Sequence, residues 1–161
     1  MKNGAQENKI KIVGAGENLQ KAKAPILLNL KKGRVIVFAY AHPSSGVSLD
    51  WQAKENDPGV NLLEKLSEKE INEIKNEIAA IKKREDFVIF SIHWGPNWGY
   101  EINRTFTDFA HNLIDLAGVD LIFGHSSHHF KGFEIYKNKL IIYGAGDFIN
   151  DYEGIGSYEN Y

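Results

Sequence analysis

An apolar strand, a helix and a second apolar strand follow one another between residues 87 and 125, and this succession constrains the fold more than any other feature. Residues 87–92 are almost wholly apolar, as in a strand that is covered on both faces of its sheet. Apolar side chains at helical spacing follow over residues 106–117, and Gly118 marks the helix end before the apolar run 119–123. Such a unit almost always crosses over with a right hand and pairs its strands in parallel. The chain is therefore predicted to be an α/β protein in which both strands end at one edge of a sheet.

The rest of the chain also alternates strands and helices. Residues 26–30 and 34–40 predict a hairpin, and residues 132–136 and 140–143 predict a second one. Between them, Ser67 begins a predicted helix in which isoleucines at helical spacing continue through Arg84. Residues 41–59 are rich in Pro, Gly, Ser and Asp, which predicts a long irregular loop.

The composition excludes several classes of function. With 161 residues, a formal net charge of −2 and 43% hydrophobic residues, the chain has the character of one globular domain and not of a protein that binds nucleic acid or an acidic membrane surface through broad electrostatic attraction. There is no cysteine, so a metal ion would have to be held by His, Asp, Glu or Asn. The apolar runs are strand-sized and residues 1–11 are polar, so no membrane segment is expected in this chain.

Histidines stand where the two predicted parallel strands end. His93 directly follows the first strand, and His125 follows the second after one glycine. Because the carboxyl ends of parallel strands lie at one sheet edge, where ligands of open α/β folds bind, the two rings are predicted to converge. His128 completes a Gly-His-x-x-His pattern, and Asp147 is expected to approach the same edge. Neutral imidazoles bind Zn, Mn or Fe, so these four side chains are the candidate metal ligands.

Hydrolysis is the chemistry that such a site would support. A metal ion can lower the pKa of a bound water molecule and polarise a phosphoryl oxygen, while an imidazole donates a proton to the leaving group. His93 and His128 are the candidates for catalytic roles. The alternative is that each histidine is a hydrogen-bonded group at a strand end, which is the more common case for a single histidine. The cluster favours the metal site, with His129 as an alternative to His128.

Other residues near this edge are assigned supporting or structural roles. His42, at a strand end inside the irregular loop, is a candidate for orienting a metal ligand, whereas His111, on the second predicted helix, is expected to be structural. Trp94, Trp98 and Tyr100 could form an aromatic wall for a substrate. Their neighbouring glycines favour loop packing instead.

Four motifs together resemble the CapA family of poly-γ-glutamate capsule synthesis proteins. They are Gly-Ala-Gly-Glu-Asn-Leu at residues 14–19, Ser-Ile-His-Trp-Gly at 91–95, Gly-His-Ser-Ser-His at 124–128 and Tyr-Gly-Ala-Gly-Asp-Phe at 143–148. The resemblance covers nearly the whole chain. It implies a calcineurin-like metallophosphatase fold, which is an αββα sandwich with two divalent metal ions, Mn, Fe or Zn. It also implies that the family's histidine ligands correspond to His93, His125 and His128.

The chain departs from the family pattern before Gly14. The family's Gly-Asp, Asn-Leu-Glu and Asn-Asn-His segments, which are expected to supply the remaining metal ligands, have no counterpart here. Residues 1–161 are therefore expected to be a partial domain, the C-terminal part of the sandwich, and to be inactive alone. Such a piece should expose apolar surface and should be poorly soluble or self-associate. Many members also have Asn at the position of Asp147, which indicates a divergent subgroup.

Three functions are consistent with these features. The first is a metal-dependent hydrolase in capsule or cell-envelope biosynthesis, acting on a phosphoester or on an amide of a polyglutamate chain. The second is a non-catalytic component of polyglutamate synthesis or export, which binds the anionic polymer or a synthase subunit. The third is a structural interaction domain with incidental histidines. If the protein is like typical family members, a segment outside this chain anchors it outside the cytoplasm; otherwise it is cytoplasmic.

Overall fold

A mixed six-stranded sheet organises the structure, a computed structural model that describes residues 10–149. Within these residues the strands are β1 (Ala15–Gly16), β2 (Ile26–Leu30), β3 (Gly33–Ala41), β4 (Gly59–Val60), β5 (Asp86–His93), β6 (Leu121–His125), β7 (Phe133–Tyr136) and β8 (Lys139–Ile142). The helices are α1 (Leu19–Lys23), α2 (Glu68–Ala79) and α3 (Arg104–Leu116). Strands β1 and β4 form a separate two-stranded sheet. The predicted α/β class is confirmed.

Four parallel strands form the centre of the larger sheet. The strand order is β2-β3-β5-β6-β8-β7, in which β3, β5, β6 and β8 run parallel, and the edge strands β2 and β7 are antiparallel to their neighbours. Both predicted hairpins are present, as β2–β3 and β7–β8. The second hairpin turns through Lys137 and Asn138, whose φ angles of 49° and 62° are positive, as a two-residue type I′ turn requires. All four parallel strands end at the same edge of the sheet.

Helix α2 begins at the predicted position but is shorter than its apolar pattern. It starts after Ser67 and ends at Ala79, whereas the isoleucine spacing predicted a helix through Arg84. Beyond the helix, Lys82 donates from Nζ to the carboxylate of Asp120 at 2.9 Å, in the segment that leads into β6. This ion pair ties the segment after the helix to the start of β6.

Helices α2 and α3 cover one face of the sheet and build the core there. Alternate residues of the central strands point to this face, and Phe38, Phe90 and Ile122 are fully buried on it. The helices contribute the buried side chains Ile71, Ile74 and Ile78 from α2 and Phe109, Ala110, Leu113 and Ile114 from α3. Each large apolar side chain buried in this way contributes about 1.5–3 kcal/mol. The stability of the described residues therefore resides mainly in this single layer.

The opposite face of the sheet is apolar, and the described residues cover it only in part. Phe123, Phe133 and Ile135 lie on this face and are 39%, 61% and 62% exposed. Phe87 at the start of β5 is also exposed. The prediction that residues 87–92 are covered on both faces is therefore wrong within residues 10–149. These residues form one helix layer and one sheet layer, which is half of the αββα arrangement that the sequence implied.

An ion pair joins the start of β3 to the start of β5. Arg34 Nε donates to Asp86 Oδ1 at 3.0 Å, and its Nη2 donates to the other carboxylate oxygen and to the carbonyl of Ile81. The amide of Lys83 also donates to Asp86, at 2.6 Å. Hydrogen bonding to Arg34 lowers the pKa of Asp86 from 3.8 to about 2.

The Asp86 carboxylate predicts an acid-dependent loss of stability. Because folding favours its ionised form, its contribution is present above the unfolded pKa and is lost as the pH falls from about 4 towards 2. The variant Asp86→Asn should lower the midpoint of thermal unfolding at neutral pH, and its difference from the parent should shrink across that window. Circular dichroism melts over the pH range measure this. The matched change Asp50→Asn, at an exposed loop carboxylate, should leave the melting profile close to the parent, and a difference at Asp86 that persists at about pH 2 would contradict the prediction.

The uncovered apolar face predicts self-association of the 161-residue chain. Replacing Phe133 and Ile135 together by lysine should raise the monomer fraction in sizing chromatography, because both side chains lie on the edge strand of that face. Leu116→Lys is the matched control, since Leu116 is 47% exposed but belongs to α3 on the other side of the sheet. A parent chain that elutes as a clean monomer would refute this expectation.

Candidate metal centre

The carboxyl ends of three neighbouring strands bring histidines together. Strand β6 extends to His125, two residues beyond its predicted end, and pairs with β5 so that His125 and His93 are direct partners. Ala41 of β3 is the partner of His93 on the other side, and the amide of His42 donates to the His93 carbonyl at 2.9 Å. Because side chains alternate along a strand, His93 and His125 share the face that α2 and α3 leave uncovered. The two rings do converge.

The imidazoles of His93 and His125 are in direct contact. The two Nδ1 atoms lie 3.0 Å apart, and the ring centroids lie 5.1 Å apart. On its other side, His125 Nε2 lies 3.1 Å from Ser91 Oγ. In the tautomer in which this Nε2–H donates to Ser91, the Nδ1 atom of His125 carries a lone pair. Ser91 is therefore placed to set the tautomer of His125.

Both rings of this pair are kept in the neutral form. Burial lowers the pKa of His125 to about 4, and a positive charge on the neighbouring His93 would lower it further. Burial also lowers the pKa of His93, with a further contribution from the charge on His128. Since an imidazole must be neutral to bind a metal ion, both rings are in the ligating form at neutral pH.

The spacing of the two nitrogens fits ligands of one metal ion. Two nitrogens at about 2.1 Å from a common ion are about 3.0–3.4 Å apart when the angle between them is octahedral or tetrahedral. The observed separation is 3.0 Å. A ligating His125 would use Nδ1 and keep its proton on Nε2, and the contact with Ser91 favours that state. His93 and His125 are therefore suited to hold one metal ion together.

A second pair lies beyond the end of β6. His128 Nδ1 is 2.9 Å from Asp147 Oδ2, and the amide of Asp147 donates to the His128 carbonyl at 3.4 Å. A carboxylate in this position accepts from Nδ1–H and leaves Nε2 as the ring atom that binds a cation or exchanges a proton. Trp98 packs against both His128 and His129, with ring centroids 5.3 Å and 6.1 Å away. In this structure Asp147 thus orients His128.

The two pairs do not form one shell of ligands. Within residues 10–149, no group of three or more His, Asp or Glu side chains is arranged to hold a metal ion. The structure brings His93 to His125 and His128 to Asp147, and the charge on His128 acts on His93 across the same edge. The described residues therefore place two separate pairs of side chains at this edge, and not a complete set of metal ligands.

Hydrogen bonds around Gly95 hold the turn that follows His93. The Gly95 amide donates to Ser44 Oγ at 2.8 Å, and the Gly95 carbonyl accepts from Ser126 Oγ at 2.9 Å. Ser44 Oγ also lies 2.7 Å from Nδ1 of His42. His42 thus supports the edge through its backbone and through Ser44. Sequence reasoning marks Ser44 only as a turn former, because its contact with Gly95 joins residues 51 positions apart.

Two further candidates from the sequence have structural contacts. His111 Nε2 lies 2.5 Å from Glu134 Oε1, and its ring stacks on Tyr136 at 3.8 Å, so it ties α3 to β7. Trp94 is buried in the core and donates from Nε1 to the carbonyl of Tyr143 at 3.0 Å. Neither residue belongs to the histidine pair.

Comparison with known proteins assigns the family. Residues 3–152 match the family described as bacterial capsule synthesis protein PGA_cap. The chain belongs to this family. The PGA_cap match confirms the resemblance that the four sequence motifs indicated.

The relatives that this chain matches are longer proteins. Over 94% of its length it is 43% identical to a probable polyglutamine synthesis accessory protein of Mycobacterium tuberculosis, of which it covers 40%. Over 91% of its length it is 33% identical to the PGA biosynthesis protein CapA of Bacillus subtilis, of which it covers 36%. The chain thus spans less than half of the length of these relatives.

One solved structure is distantly similar to this chain. A solved structure described as a novel phosphatase of Mycoplasma pneumoniae superposes with a TM-score of 0.47 and 14% identity, covering 76% of this chain and 35% of that one.

None of the helices described between residues 10 and 149 has the length and hydropathy that a membrane span requires.

Packing requires the glycine that precedes His125. A Cβ atom at Gly124 would lie 2.5 Å from the carbonyl oxygen of Tyr143 and 2.6 Å from Nε1 of Trp94. These two groups are hydrogen-bonded to each other, and their bond joins the ends of β5 and β8. The absence of a side chain at Gly124 therefore leaves space for the hydrogen bond between Trp94 and Tyr143, and β6 can continue to His125.

The variant Gly124→Ala should lower the midpoint of thermal unfolding and separate the rings of His93 and His125. Overpacking of this kind costs about 1–3 kcal/mol, and both nearest atoms belong to a fixed hydrogen bond. Thermal melts give the stability, and nitrogen NMR of the histidine rings reports the contact. Gly132→Ala is the matched control, because its Cβ would meet the end of the flexible Ile102 side chain at 3.2 Å. Equal stability of the two variants would contradict the prediction.

Proposed function

We propose that this chain carries part of the divalent-metal site of a phosphoesterase-like hydrolase that acts in the synthesis of a polyglutamate capsule. The observation that carries the proposal is the contact between His93 and His125, whose Nδ1 atoms lie 3.0 Å apart at the carboxyl edge of a parallel sheet. Both rings are neutral, as metal ligands must be. Membership of the PGA_cap family supports the biosynthetic setting, as do the relatives described as PGA or polyglutamine synthesis proteins.

In this proposal the residues of the edge have separate tasks. His93 and His125 hold a metal ion of the Mn, Fe or Zn type through neutral nitrogens, and Ser91 fixes the tautomer of His125. A metal ion bound there would supply Lewis acidity towards a phosphoryl oxygen and would lower the pKa of a bound water molecule. His128, oriented by Asp147, takes part in a second metal position or donates a proton to the leaving group. The remaining ligands come from parts of the full-length protein outside residues 10–149.

A non-catalytic role in polyglutamate synthesis or export is the second candidate. The observation that favours it is that residues 10–149 contain no group of three His, Asp or Glu side chains arranged around one ion. In that case the same edge binds the anionic polymer or a synthase subunit without turnover. The two candidates differ in whether bound metal is accompanied by hydrolysis.

The decisive experiment uses the full-length protein. Bound Mn, Fe and Zn are measured by elemental analysis, and hydrolysis of bis(p-nitrophenyl) phosphate is assayed with the best metal. His93→Ala and His125→Ala should each reduce metal content and abolish most turnover, because each removes one of two adjacent ligands. Ser91→Ala should weaken metal binding by about tenfold, since loss of an outer partner of a ligand histidine typically costs 10–100-fold.

His111→Ala serves as the control, because His111 contacts Glu134 and Tyr136 and not the histidine pair. It should keep its metal and its activity. Metal that disappears in the His93 and His125 variants, without any hydrolysis by the parent, selects the non-catalytic candidate. If neither His93→Ala nor His125→Ala changes the metal content, the histidine pair holds no metal ion. That result would rule out the metal site for the hydrolytic candidate and for the non-catalytic candidate.

A further inference from the structure

The side chain of Lys131, in the segment between β6 and β7, is largely buried and has no anionic partner within residues 10–149. Its exposed fraction is 5%, and among the described residues its ammonium group has neither an ion pair nor a hydrogen bond. The partly buried Lys82 and Lys139, in contrast, both pair with Asp120. An ammonium group loses its hydration when it is buried, and that loss is costly unless an anion or hydrogen-bond acceptors replace the water. Lys131 Nζ is not among the fully buried side-chain atoms that lack a hydrogen-bond partner, so the ammonium group keeps access to solvent or to a ligand while most of the side chain is buried.

Gly144 makes room for the Lys131 side chain, which ends next to Gly95. The Lys131 amide donates to the carbonyl of Gly144 at 2.9 Å. Its Cβ and Cγ atoms lie 3.1 Å from the point that a Cβ atom of Gly144 would occupy. The ammonium nitrogen ends 3.8 Å from the equivalent point at Gly95, two residues after His93. The side chain thus runs along the end of β8 and delivers its charge to the end of β5.

The ammonium group lines a small cavity at this end of β5. The volume of about 10 Å³ is room for about one water-sized group, such as a single oxygen atom. The other lining residues are mostly apolar or aromatic: Trp94, Gly95, Glu101, Ile102, Phe106 and Tyr143. Low polarity around a charge strengthens its interaction with an opposite charge.

The surroundings of the cavity favour a negative group. Helix α3 begins beside it, between Ile102 and Phe106, and the first turn of α3 contains no acidic residue that would offset the partial positive charge of the helix end. Glu101 supplies the one carboxylate among the lining residues, but its side chain is exposed and lies beyond ion-pair distance of Lys131. Burial lowers the pKa of Lys131, and a bound anion would raise it again.

We propose that Lys131 binds one oxygen atom of an anionic group, a carboxylate or a phosphate, at the end of β5, on the helix-covered side of the sheet edge whose opposite face carries the paired histidines. The body of the anionic group remains outside the cavity, because the cavity admits a single oxygen. Lys131 is then the residue that selects an anionic substrate at this edge. This inference rests on the proposed function for the identity of the substrate, but the binding itself requires no metal ion.

Calorimetric titration of the metal-free full-length protein tests the proposal. The two charged probes are inorganic phosphate and glutarate, which separate a phosphate from a carboxylate preference, and glutaramide is the uncharged counterpart of glutarate. At least one charged probe should bind, and glutaramide should not. Lys131→Met keeps the length of the side chain and should weaken binding at least about tenfold, since a hydrogen bond to a charged group contributes about 1.5–3 kcal/mol.

The control variants separate loss of charge from loss of structure. Lys131→Arg keeps the charge and should retain part of the affinity. Lys75→Met, on the exposed side of α2, should bind like the parent. Without added anion, Lys131→Met should melt at or above the temperature of the parent, because it removes a buried unpaired charge.

Three outcomes would overturn the proposal. The first is that neither charged probe binds to the metal-free protein, and the second is that Lys131→Met binds as tightly as the parent. The third is that Glu101→Gln and Lys131→Met lower the melting temperature equally and the double variant lowers it no further, since Lys131 would then be the partner of a structural ion pair. Loss of metal and of hydrolysis in the experiments above would not affect these titrations, so the two proposals can fail separately.

Discussion

The parallel pairing of β5 with β6 is the constraint on which the rest of the site depends. The register that places Ile89 beside Leu121 also places His93 beside His125. A shift of one residue would turn one of the two rings to the helix-covered face of the sheet, because side chains alternate along a strand. The register is held by the core, where the neighbouring side chains of both strands are buried against α2 and α3. Hydrophobic packing on one face of the sheet thus positions the imidazoles on the other.

The edge of the sheet is rigid because the strand ends are joined to one another. Trp94 is bonded to Tyr143 past the missing side chain of Gly124, which ties the end of β5 to the end of β8. The Ser44 hydroxyl accepts a hydrogen bond from the Gly95 amide, and the Ser126 hydroxyl donates one to the Gly95 carbonyl. These two bonds connect the irregular loop and the end of β6 to the turn after β5. Groups that must bind a ligand need this kind of support, since their own geometry is set by the backbone that carries them.

The uncovered sheet face and the histidine pair lie on the same side of the sheet. Helices α2 and α3 both pack on one side, whereas the rings of His93 and His125 lie on the other. Any segment or partner that covered the open face would therefore also lie close to the histidine pair. That geometry is the reason for proposing that the missing ligands come from outside residues 10–149. Lys131 differs, because its cavity lies beside Trp94 and Phe106 at the helix-covered side of the same edge.

Local patterns in the amino-acid sequence by themselves determined the α/β class, both hairpins, the course of the main strands and helices, and the meeting of His93 with His125. These features follow from the period of apolar residues and from the handedness of strand-helix-strand units, which act over short stretches of chain. The tertiary structure alone decided that α2 ends at Ala79, that Ser91 contacts His125 and that the Lys131 side chain is largely buried, with no ion pair to another of the residues that the structure describes. Such features depend on contacts between segments far apart in the chain and on side-chain conformations, and no local period encodes either of them.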